Sequence, residues 1–509
     1  MMKKTKTHLF YLIIIFTGYN QICLSQNKQQ AETTSDSLTV TKPSDNQIIA
    51  YNNYFDKNYE RHIEELIDLI SYPSLSMQAD HQNDLEEAAE FLKNKLINIG
   101  LEKSQINFSN GLPIVTSEYN QHKDQPTVLF YGHFDVQPVN REQWQNDPFK
   151  AEIRDGRLYG RGATDDKGPI IALISTLEAL MTIDGKLPVN IKILLDGGEE
   201  IVSSHLLGWL ADHKDWLKDI DFGINIDAAM HSDEQGLIWK GLRGASDIEV
   251  TLTSANTDLH SGIYGGVAPN AAVAASKVIA SMYNDDGSVA IEGFYDDLKI
   301  FSEAEKIEIA ASVDKNQEVD ELRKFEIDQW IGEADYTYTE RTWIRGSMDV
   351  TGFKSGYTDG KASIIPHKAW FRIMTRLGPG QNPEKINSLI KSHIERNIPW
   401  GIQAEFKASG MAAATSLNED DLGYKIGKKV LTDFFGISPK ILYIGGTIPA
   451  LSFIPQAGGP DLVSIGFQRS DENFHADNEF MRIDSFIKGQ RIYAQLIHAF
   501  VNQNRNNPK

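Results

Sequence analysis

Four short segments of the sequence place acidic side chains, and in one case a histidine, directly after apolar runs. They are residues 131–138 (YGHFDVQP), 159–168 (YGRGATDDKG), 194–200 (LLDGGEE) and 225–227 (NID). In an open α/β sheet, ligands bind beyond the carboxyl ends of the strands, so loops of this kind meet at one edge of the sheet. Carboxylates gathered there repel one another unless a bound dication offsets their charge. The four segments together therefore predict a metal site.

Each segment also has an ordinary structural explanation when it is taken alone. A His-x-Asp sequence after a strand commonly caps a turn, and Asp165-Asp166 ahead of a helix would cap its N-terminus and complement its dipole. Glu199-Glu200 is typical of a solvated surface, and Asp227 is typical of a turn. The order of the segments, each placed behind a strand, is what favours the metal site over these alternatives.

The elements that must position these segments alternate between apolar strands and helices. Strands are predicted at residues 128–131, 191–195 and 222–226, and helices at residues 170–180 and 206–210. This alternation is typical of a mostly parallel sheet with helices on both of its faces.

Two helices are predicted ahead of this sheet. The first covers residues 54–70, where apolar side chains recur at helical spacing. The second starts at Asn83, which resembles a capping box with Glu86, and ends before Gly100. Residues 26–47 are rich in Gln, Thr, Ser and Asp and are predicted to form a flexible linker.

The pattern changes near Gly241 and returns to the first type after about residue 411. Between these points the predicted elements are antiparallel strands at 248–253 and 369–376, helices at 271–283 and 383–396, and a charged helical stretch at 302–330. The simplest organisation is one catalytic α/β domain, residues 48–240 and 411–509, interrupted by an α+β domain of residues 241–410.

The N-terminus has the features of an export signal. Lys3, Lys4 and Lys6 precede an apolar run at residues 9–16 that is too short to span a bilayer, which predicts a cleaved signal peptide of residues 1–25. The alternatives are an uncleaved anchor or lipid attachment at Cys23, although residues 20–22 match a lipoprotein signal poorly. Since Cys23 is the only cysteine, cleavage would leave no disulfide and no thiolate, and metals would bind through His, Asp and Glu.

The overall charge excludes one class of function. The chain has 70 acidic and 50 basic residues, which gives a formal net charge of −20. A surface this negative repels nucleic acids and anionic lipids, so a polyanion-binding protein is not expected.

Taken together, the segments resemble the co-catalytic di-zinc metallopeptidases and deacylases, a family that includes carnosinase, non-specific dipeptidase, acetylornithine deacetylase and carboxypeptidase G. The likeness runs from about residue 50 to the C-terminus and is closest to the carnosinase-like dipeptidases, through residues 132–138 and 159–169. It implies a zinc-peptidase-like α/β fold interrupted by an inserted, ferredoxin-like lid and dimerisation domain.

The resemblance implies two divalent metal ions, Zn²⁺ first, with Mn²⁺ and Co²⁺ as alternatives. Asp165 would bridge the metals, His133 and Asp227 would complete one site, and Glu200 and His475 would complete the other. His475 lies in the distal segment 473–479 (NFHADNE), which matches the distal histidine of the family.

The resemblance also implies how the reaction proceeds. Glu199 would be the general base, taking a proton from water whose pKa the two dications lower, and later protonating the leaving amine. Asp135 would accept a hydrogen bond from the imidazole of His133 and orient it. The Asp165–Asp166 peptide bond is expected to be cis.

Four residues outside the metal site are implied to contact substrate. His260, in the segment 258–262 (DLHSG), would reach the active site of a partner subunit in a homodimer. Arg376 and Thr447, the latter in a GGTIP segment, would hold the free carboxylate of the substrate, and Ser363 occupies the position of a substrate-contacting threonine in relatives. The segment VAPN at residues 267–270 departs from the carnosinase-like pattern, which affects the expected dimer contact and selectivity.

The predicted function is metal-dependent hydrolysis of the amide bond of dipeptides, by a homodimer that binds neither nucleic acid nor, after signal cleavage, a membrane. Asp227, where deacylases and carboxypeptidases of the family tend to have Glu, favours this branch. The alternatives are an N-acyl-amino-acid deacylase of the same family and a non-catalytic binding protein on this fold. The second alternative is disfavoured because no ligand position and no base is missing.

Overall fold

The computed structural model of the chain describes residues 38–312, 315–357 and 360–503. The predicted signal peptide, including Cys23, and most of the predicted linker lie outside these residues. Within them, no helix combines the length and apolar character needed to span a bilayer.

The strands of the described residues are β1 (Gln105–Ser109), β2 (Leu112–Tyr119), β3 (Thr127–His133), β4 (Glu152–Arg154), β5 (Arg157–Tyr159), β6 (Asn190–Asp196), β7 (Phe222–Asn225), β8 (Leu237–Leu242), β9 (Gly244–Thr253), β10 (Leu259–His260), β11 (Ser347–Ser355), β12 (Ile364–Ile365), β13 (Lys368–Leu377), β14 (Gln403–Ala412), β15 (Thr415–Ser416), β16 (Lys440–Ile444), β17 (Leu462–Ser464) and β18 (Phe480–Arg482). The α-helices are α1 (Asp45–Ile70), α2 (Gln82–Asn98), α3 (Lys167–Asp184), α4 (Ser204–Asp212), α5 (Lys214–Leu217), α6 (Ser261–Tyr264), α7 (Ala271–Ser281), α8 (Glu303–Ala311), α9 (Lys315–Lys324), α10 (Tyr338–Trp343), α11 (Pro383–Asn397), α12 (Leu422–Phe435), α13 (Ala450–Gln456) and α14 (Ile483–Ala499).

A six-stranded sheet in the order β1-β2-β6-β3-β7-β17 forms the centre of the α/β part. The strands β6, β3, β7 and β17 are parallel, whereas β1 and β2 are antiparallel additions. Every residue of β3, β6 and β7 is buried, as expected for strands covered on both faces. Leu129 and Tyr131 contribute to a core with α4 and α13, and α1 and α14 pack on α3. The predicted mostly parallel sheet with helices on both faces is confirmed.

A second, four-stranded sheet has the order β11-β13-β9-β14, and all of its neighbouring strands are antiparallel. With α7 between β9 and β11, and α11 between β13 and β14, this is the βαββαβ arrangement of ferredoxin-like folds. Alternate residues such as Ile248 and Val250 are buried against the helices, which leaves the other face of the sheet for Asp247 and Glu249. The ferredoxin-like insertion is confirmed, while the exact domain boundaries remain a prediction.

A separate three-stranded sheet, in the order β18-β5-β4, brings the distal segment to the 159–168 loop. The strand β18 pairs with β5, so that Phe480 lies opposite Tyr159. Because β5 leads directly into the 159–168 loop, this pairing places residues 473–479 beside that loop.

The helix starts differ from the predictions at two places. Helix α1 begins at Asp45, and the linker prediction for residues 26–47 was wrong over its last three residues. The reason is a capping box, in which Ser44 Oγ accepts from the Gln47 N–H at 3.3 Å and Gln47 Oε1 accepts from the Ser44 N–H at 3.1 Å. The capping box predicted at Asn83 was also wrong, because α2 already begins at Gln82 and follows a 3₁₀ turn without a side-chain cap.

Candidate active site

The carboxyl ends of β3 and β7 bring two of the predicted metal ligands together. His133 is the last residue of β3, and Asp227 follows β7, the parallel strand beside it. Asp165 approaches from the loop ahead of α3. Nε2 of His133 lies 3.0 Å from Oδ1 of Asp165 and 3.9 Å from Oδ2 of Asp227. These three buried side chains form a group that could hold one metal ion.

A second group shares Asp165 with the first. Glu200 follows β6, and His475 comes from the distal segment. Nε2 of His475 lies 3.1 Å from Oδ2 of Asp165 and 3.3 Å from Oε2 of Glu200. The two oxygens of one carboxylate therefore face two different imidazoles, which is the arrangement expected of a bridging ligand between two metal ions.

The electrostatics of the cluster fit divalent cations. Burial and the charge of Asp165 raise the pKa of Asp227 to about 6. Desolvation also raises the pKa of Glu199 well above its usual range, and the Glu200 carboxylate adds to this effect while His133 opposes it. Raised values of this kind indicate carboxylates crowded together without enough compensating charge, and two dications would supply that charge. The set of three carboxylates and two imidazoles is one that zinc commonly takes.

A cavity of about 790 Å³ joins this cluster to the ferredoxin-like sheet. Glu199, Glu200 and His475 line one side of the cavity, and Arg376 and Thr447 line the other. Nη1 of Arg376 donates to Oγ1 of Thr447 at 2.8 Å. The structure thus brings both predicted carboxylate-binding residues to the same cavity as the predicted base.

Comparison with known proteins identifies the family. The sequence model of peptidase family M20/M25/M40 matches residues 129–499, which is well over half of the chain. The chain belongs to this peptidase family.

Relatives of known activity agree with this assignment. The chain is 27% identical over 466 residues to the Cys-Gly metallodipeptidase dug1 of Schizosaccharomyces pombe, covering 87% of this chain and 96% of that protein. It is 27% identical to the mouse (Mus musculus) Beta-Ala-His dipeptidase, covering 75% and 78% of the two chains. Among solved structures, the M20 family metallo-carboxypeptidase Sso-CP2 from Sulfolobus solfataricus is similar with a TM-score of 0.78 at 28% identity, covering 86% of this chain and 99% of that one.

In this M20 peptidase, Asp135 has a second role beside the predicted contact with His133. The Nδ1 atom of His133 lies 3.1 Å from the backbone carbonyl oxygen of Asp135 and 3.5 Å from its carboxylate. The carboxylate also accepts from the backbone N–H groups of Glu199 at 2.9 Å and Glu200 at 3.1 Å, and from Ser76 Oγ at 2.6 Å. The backbone of Asp135 therefore contacts the imidazole, while its side chain holds the turn that presents both glutamates.

Glu479 fixes the loop that carries the bridging carboxylate, and the sequence assigned it no role. Its Oε1 accepts from the N–H groups of Thr164 at 3.0 Å and Asp165 at 3.2 Å. Its Oε2 accepts from Gly162 N–H at 3.0 Å and from Arg161 Nη1 at 2.6 Å. The Asp165–Asp166 bond in this loop is cis, as predicted. The position of Glu479 in the same segment as His475 was the available signal.

Arg243 is a further residue that the sequence interpretation missed. Its Nε donates to the carbonyl oxygen of Gly445 at 3.1 Å, and its own carbonyl oxygen accepts from Thr447 Oγ1 at 2.8 Å. Arg243 thereby holds the GGTIP loop at two points. Because Thr447 Oγ1 also accepts a hydrogen bond from Arg376, the position of the loop affects that of the Arg376 guanidinium. Burial, together with the charge of Arg376, lowers the pKa of Arg243 to about 10. The signal was its position at the change of pattern near Gly241.

His260 and Ser363 lie elsewhere. They sit side by side on the short β10–β12 pair, where Nδ1 of His260 accepts from the Gly262 N–H at 3.0 Å and the Ser363 carbonyl accepts from the Ser261 N–H at 3.0 Å. Both residues are exposed, and neither is among the described residues that line the cavity. A single chain therefore does not bring these two predicted substrate contacts to the metal cluster.

Proposed function

We propose that this M20-family chain is a metal-dependent dipeptidase that hydrolyses the amide bond of dipeptides with Glu199 as its general base. The observation that carries the proposal is one cavity lined by Glu199, by the metal-ligand candidates Glu200 and His475, and by Arg376 and Thr447. One side of such a cavity serves bond cleavage, and the other serves a free carboxylate. The relatives named as dipeptidases support the same substrate class.

The metal ions belong to the two ligand groups. His133, Asp165 and Asp227 would hold one ion, and Asp165, Glu200 and His475 would hold the other. We infer Zn²⁺ from the mixture of imidazole and carboxylate ligands. When bound, the ions supply Lewis acidity and lower the pKa of water in the cavity.

Glu199 moves the proton. Its carboxylate faces the cavity beside the ligand groups, while its backbone N–H is fixed by Asp135. A carboxylate at this place can take a proton from water and then deliver it to the leaving amine. Adjacent Glu199 and Glu200 can thus divide the tasks of proton transfer and metal binding.

Arg376 and Thr447 position the substrate. Among the described residues, neither Arg376 nor its neighbour Arg243 forms an ion pair. Arg376 donates to the Thr447 hydroxyl and Arg243 to a backbone carbonyl, so the Arg376 guanidinium is available for an anion. The planar guanidinium suits the two oxygens of a carboxylate, and the Thr447 hydroxyl lies beside it. Both a dipeptide and an N-acyl-amino-acid carry such a carboxylate at one end.

We propose further that the active enzyme is a homodimer in which His260, with Ser363, contacts substrate held by the partner subunit. The support is that both residues are exposed on one short strand pair away from their own cavity. Export of the enzyme is proposed from the sequence of residues 1–25 alone.

The test is hydrolysis of a panel of free dipeptides beside N-acetyl amino acids, with zinc-loaded and chelator-treated protein. Cleavage of the dipeptides that disappears with the chelator supports the proposal. Cleavage of the acetylated compounds alone would assign the chain to the deacylases, and cleavage of neither would leave a binding protein.

A further inference from the structure

Asp247 lines the part of the cavity that lies against the ferredoxin-like sheet. It is two residues along β9 from Ala245, which pairs across the strands with Arg376. Both Asp247 and Ala245 line the cavity, whereas the next residues on this face, Glu249 and Arg372, are not among the described lining residues. Asp247 is therefore the last charged side chain that the cavity reaches on this strand.

The carboxylate of Asp247 is buried without a full set of partners. The residue is 8% exposed, and its Oδ1 has no hydrogen bond within the described part of the chain. Nε of Arg372 lies 3.3 Å from Oδ1 of Asp247, and the same guanidinium donates to Glu249 through Nη2 at 2.9 Å, so one cation is shared by two carboxylates. Burial raises the pKa of Asp247, so the charge of Arg372 does not compensate for desolvation. A buried polar group in this state is a candidate for contact with a ligand.

The position of Asp247 relative to Arg376 indicates which part of a substrate it would meet. Two residues of a strand span about 6.8 Å, and this is the separation along β9 between Ala245, opposite Arg376, and Asp247. The Glu199 charge acts on the pKa of Arg376, whereas the charges acting on Asp247 are those of the residues farther along the sheet. Asp247 thus lies farther from the proposed base than the carboxylate anchor does, within reach of a side chain attached next to that carboxylate.

We propose that Asp247 selects dipeptides whose C-terminal residue carries a cationic side chain, lysine or arginine. This proposal rests on the proposed dipeptidase function and on Arg376 as the anchor of the substrate carboxylate. The four-carbon stem of lysine suits the distance between the two residues, and Met374, which also lines the cavity, would pack against that stem. The ammonium or guanidinium group then supplies a second cation to the two carboxylates that share Arg372, and it donates a hydrogen bond to the Asp247 carboxylate.

The experiment compares Ala-Lys with Ala-norleucine, which has the same unbranched stem without the charge. The readout is the ratio of kcat/KM for the two substrates, because a ratio does not depend on how much of a variant is folded or loaded with metal. We expect the zinc-loaded wild type to favour Ala-Lys by at least about tenfold, and Asp247→Asn to lose most of that preference, as for a charged hydrogen bond.

Two further variants sharpen the result. Asp247→Glu keeps the charge and should retain a preference for Ala-Lys. Glu249→Gln removes the neighbouring carboxylate, which shares Arg372 but lies outside the cavity, and should lower the ratio less than Asp247→Asn does. Equal use of both substrates by the wild type, or an unchanged ratio in Asp247→Asn, would overturn the inference. Hydrolysis of no dipeptide at all would instead contradict the proposed function.

Discussion

The two walls of the cavity are built on different principles. On the metal side, polar side chains contact one another directly: Asp165 touches both His133 and His475, and Glu200 touches His475. On the side of the ferredoxin-like sheet, two arginines lie close together without an ion pair among the described residues, and Asp247 lacks a hydrogen-bond partner for one oxygen. The metal side therefore suits small cations that stay bound at a fixed position. The side of the ferredoxin-like sheet has polar groups available to a substrate that binds and dissociates in each turnover.

Glu199→Gln, a substitution on the metal side of the cavity, is expected to have the largest effect on activity. Loss of the proton acceptor should lower kcat by about a thousandfold or more, while both ligand groups remain intact. Metal analysis of the purified variant should therefore still find about two equivalents. Retention of substantial turnover would remove Glu199 from its proposed role, and loss of metal would show that the substitution disturbed the ligands instead.

Glu479→Gln tests the metal wall through the loop that supports it. The substitution removes one of the oxygens that accept hydrogen bonds from the loop of Asp165, so that loop should be held less firmly. Supporting residues of metal ligands typically contribute 10- to 100-fold to affinity, and a loss of about that size is expected. Metal affinity is measured by competition with a chromophoric chelator. An affinity equal to that of the wild type would restrict Glu479 to a role in folding.

Arg243→Met tests the opposite wall. Without the hydrogen bond from the guanidinium to the Gly445 carbonyl, the GGTIP loop and Thr447 should be less well placed, although the backbone carbonyl of residue 243 still accepts from Thr447. KM for free dipeptides should rise about tenfold with a smaller change in kcat. Dipeptide amides, which lack the carboxylate, serve as the matched substrates, and their kcat/KM should change much less. A similar loss for both substrate types would mean that the substitution acts on the whole fold. Arg243→Lys should restore only part of the effect, because lysine does not reproduce the planar donor geometry.

The smallest effect concerns the stability of the turn beneath Glu199 and Glu200. Nε2 of the buried His205 lies 2.8 Å from Oδ1 of Asp196. Burial opposes protonation of His205, but the Asp196 carboxylate outweighs it and raises the pKa of the ring. A histidine whose folded pKa is raised contributes stability below its unfolded pKa of about 6.5 and loses it as the pH rises through the folded value.

His205→Gln should therefore cost more stability at pH 6 than at pH 9. Urea unfolding of wild type and variant at the two pH values measures this difference. A cost that does not depend on pH would mean that His205 is neutral in the folded chain. A cost that increases with pH would mean that folding lowers the pKa of His205 instead of raising it.

The sequence predicted the metal wall better than the substrate wall. His133, Asp165, Glu200 and Asp227 each follow a strand or precede a helix, so the topology of a parallel sheet is enough to bring them together. Arg376 and Thr447 were placed through a family resemblance rather than through any local pattern. Arg243 and Asp247 were missed, because their importance depends on which face of β9 points into the cavity and on the neighbouring loop. Such pairings between distant segments leave little trace in hydrophobic periodicity.

Two local details, the contacts of Asp135 and the start of α1, could not be predicted from the sequence. The role of Asp135 was predicted as a contact from its carboxylate to His133, but its backbone carbonyl lies closer to that imidazole, at 3.1 Å against 3.5 Å. The start of α1 was misplaced because Ser44 and Gln47 are polar and were assigned to the linker, although together they close a capping box. In both cases short-range geometry decided between two uses of the same residue type.

The pairing of the distal segment with the 159–168 loop determines when the site can form during synthesis of the chain. Glu479 holds Thr164 from 315 residues farther along the chain, and His475 meets Asp165 from the same distal segment. A chain still emerging from the ribosome contains the base and most ligands long before it contains the last histidine. We therefore expect hydrolytic activity only after the last part of the chain has been synthesised. A chain truncated before this segment would lack His475 and the support that Glu479 gives to the 159–168 loop.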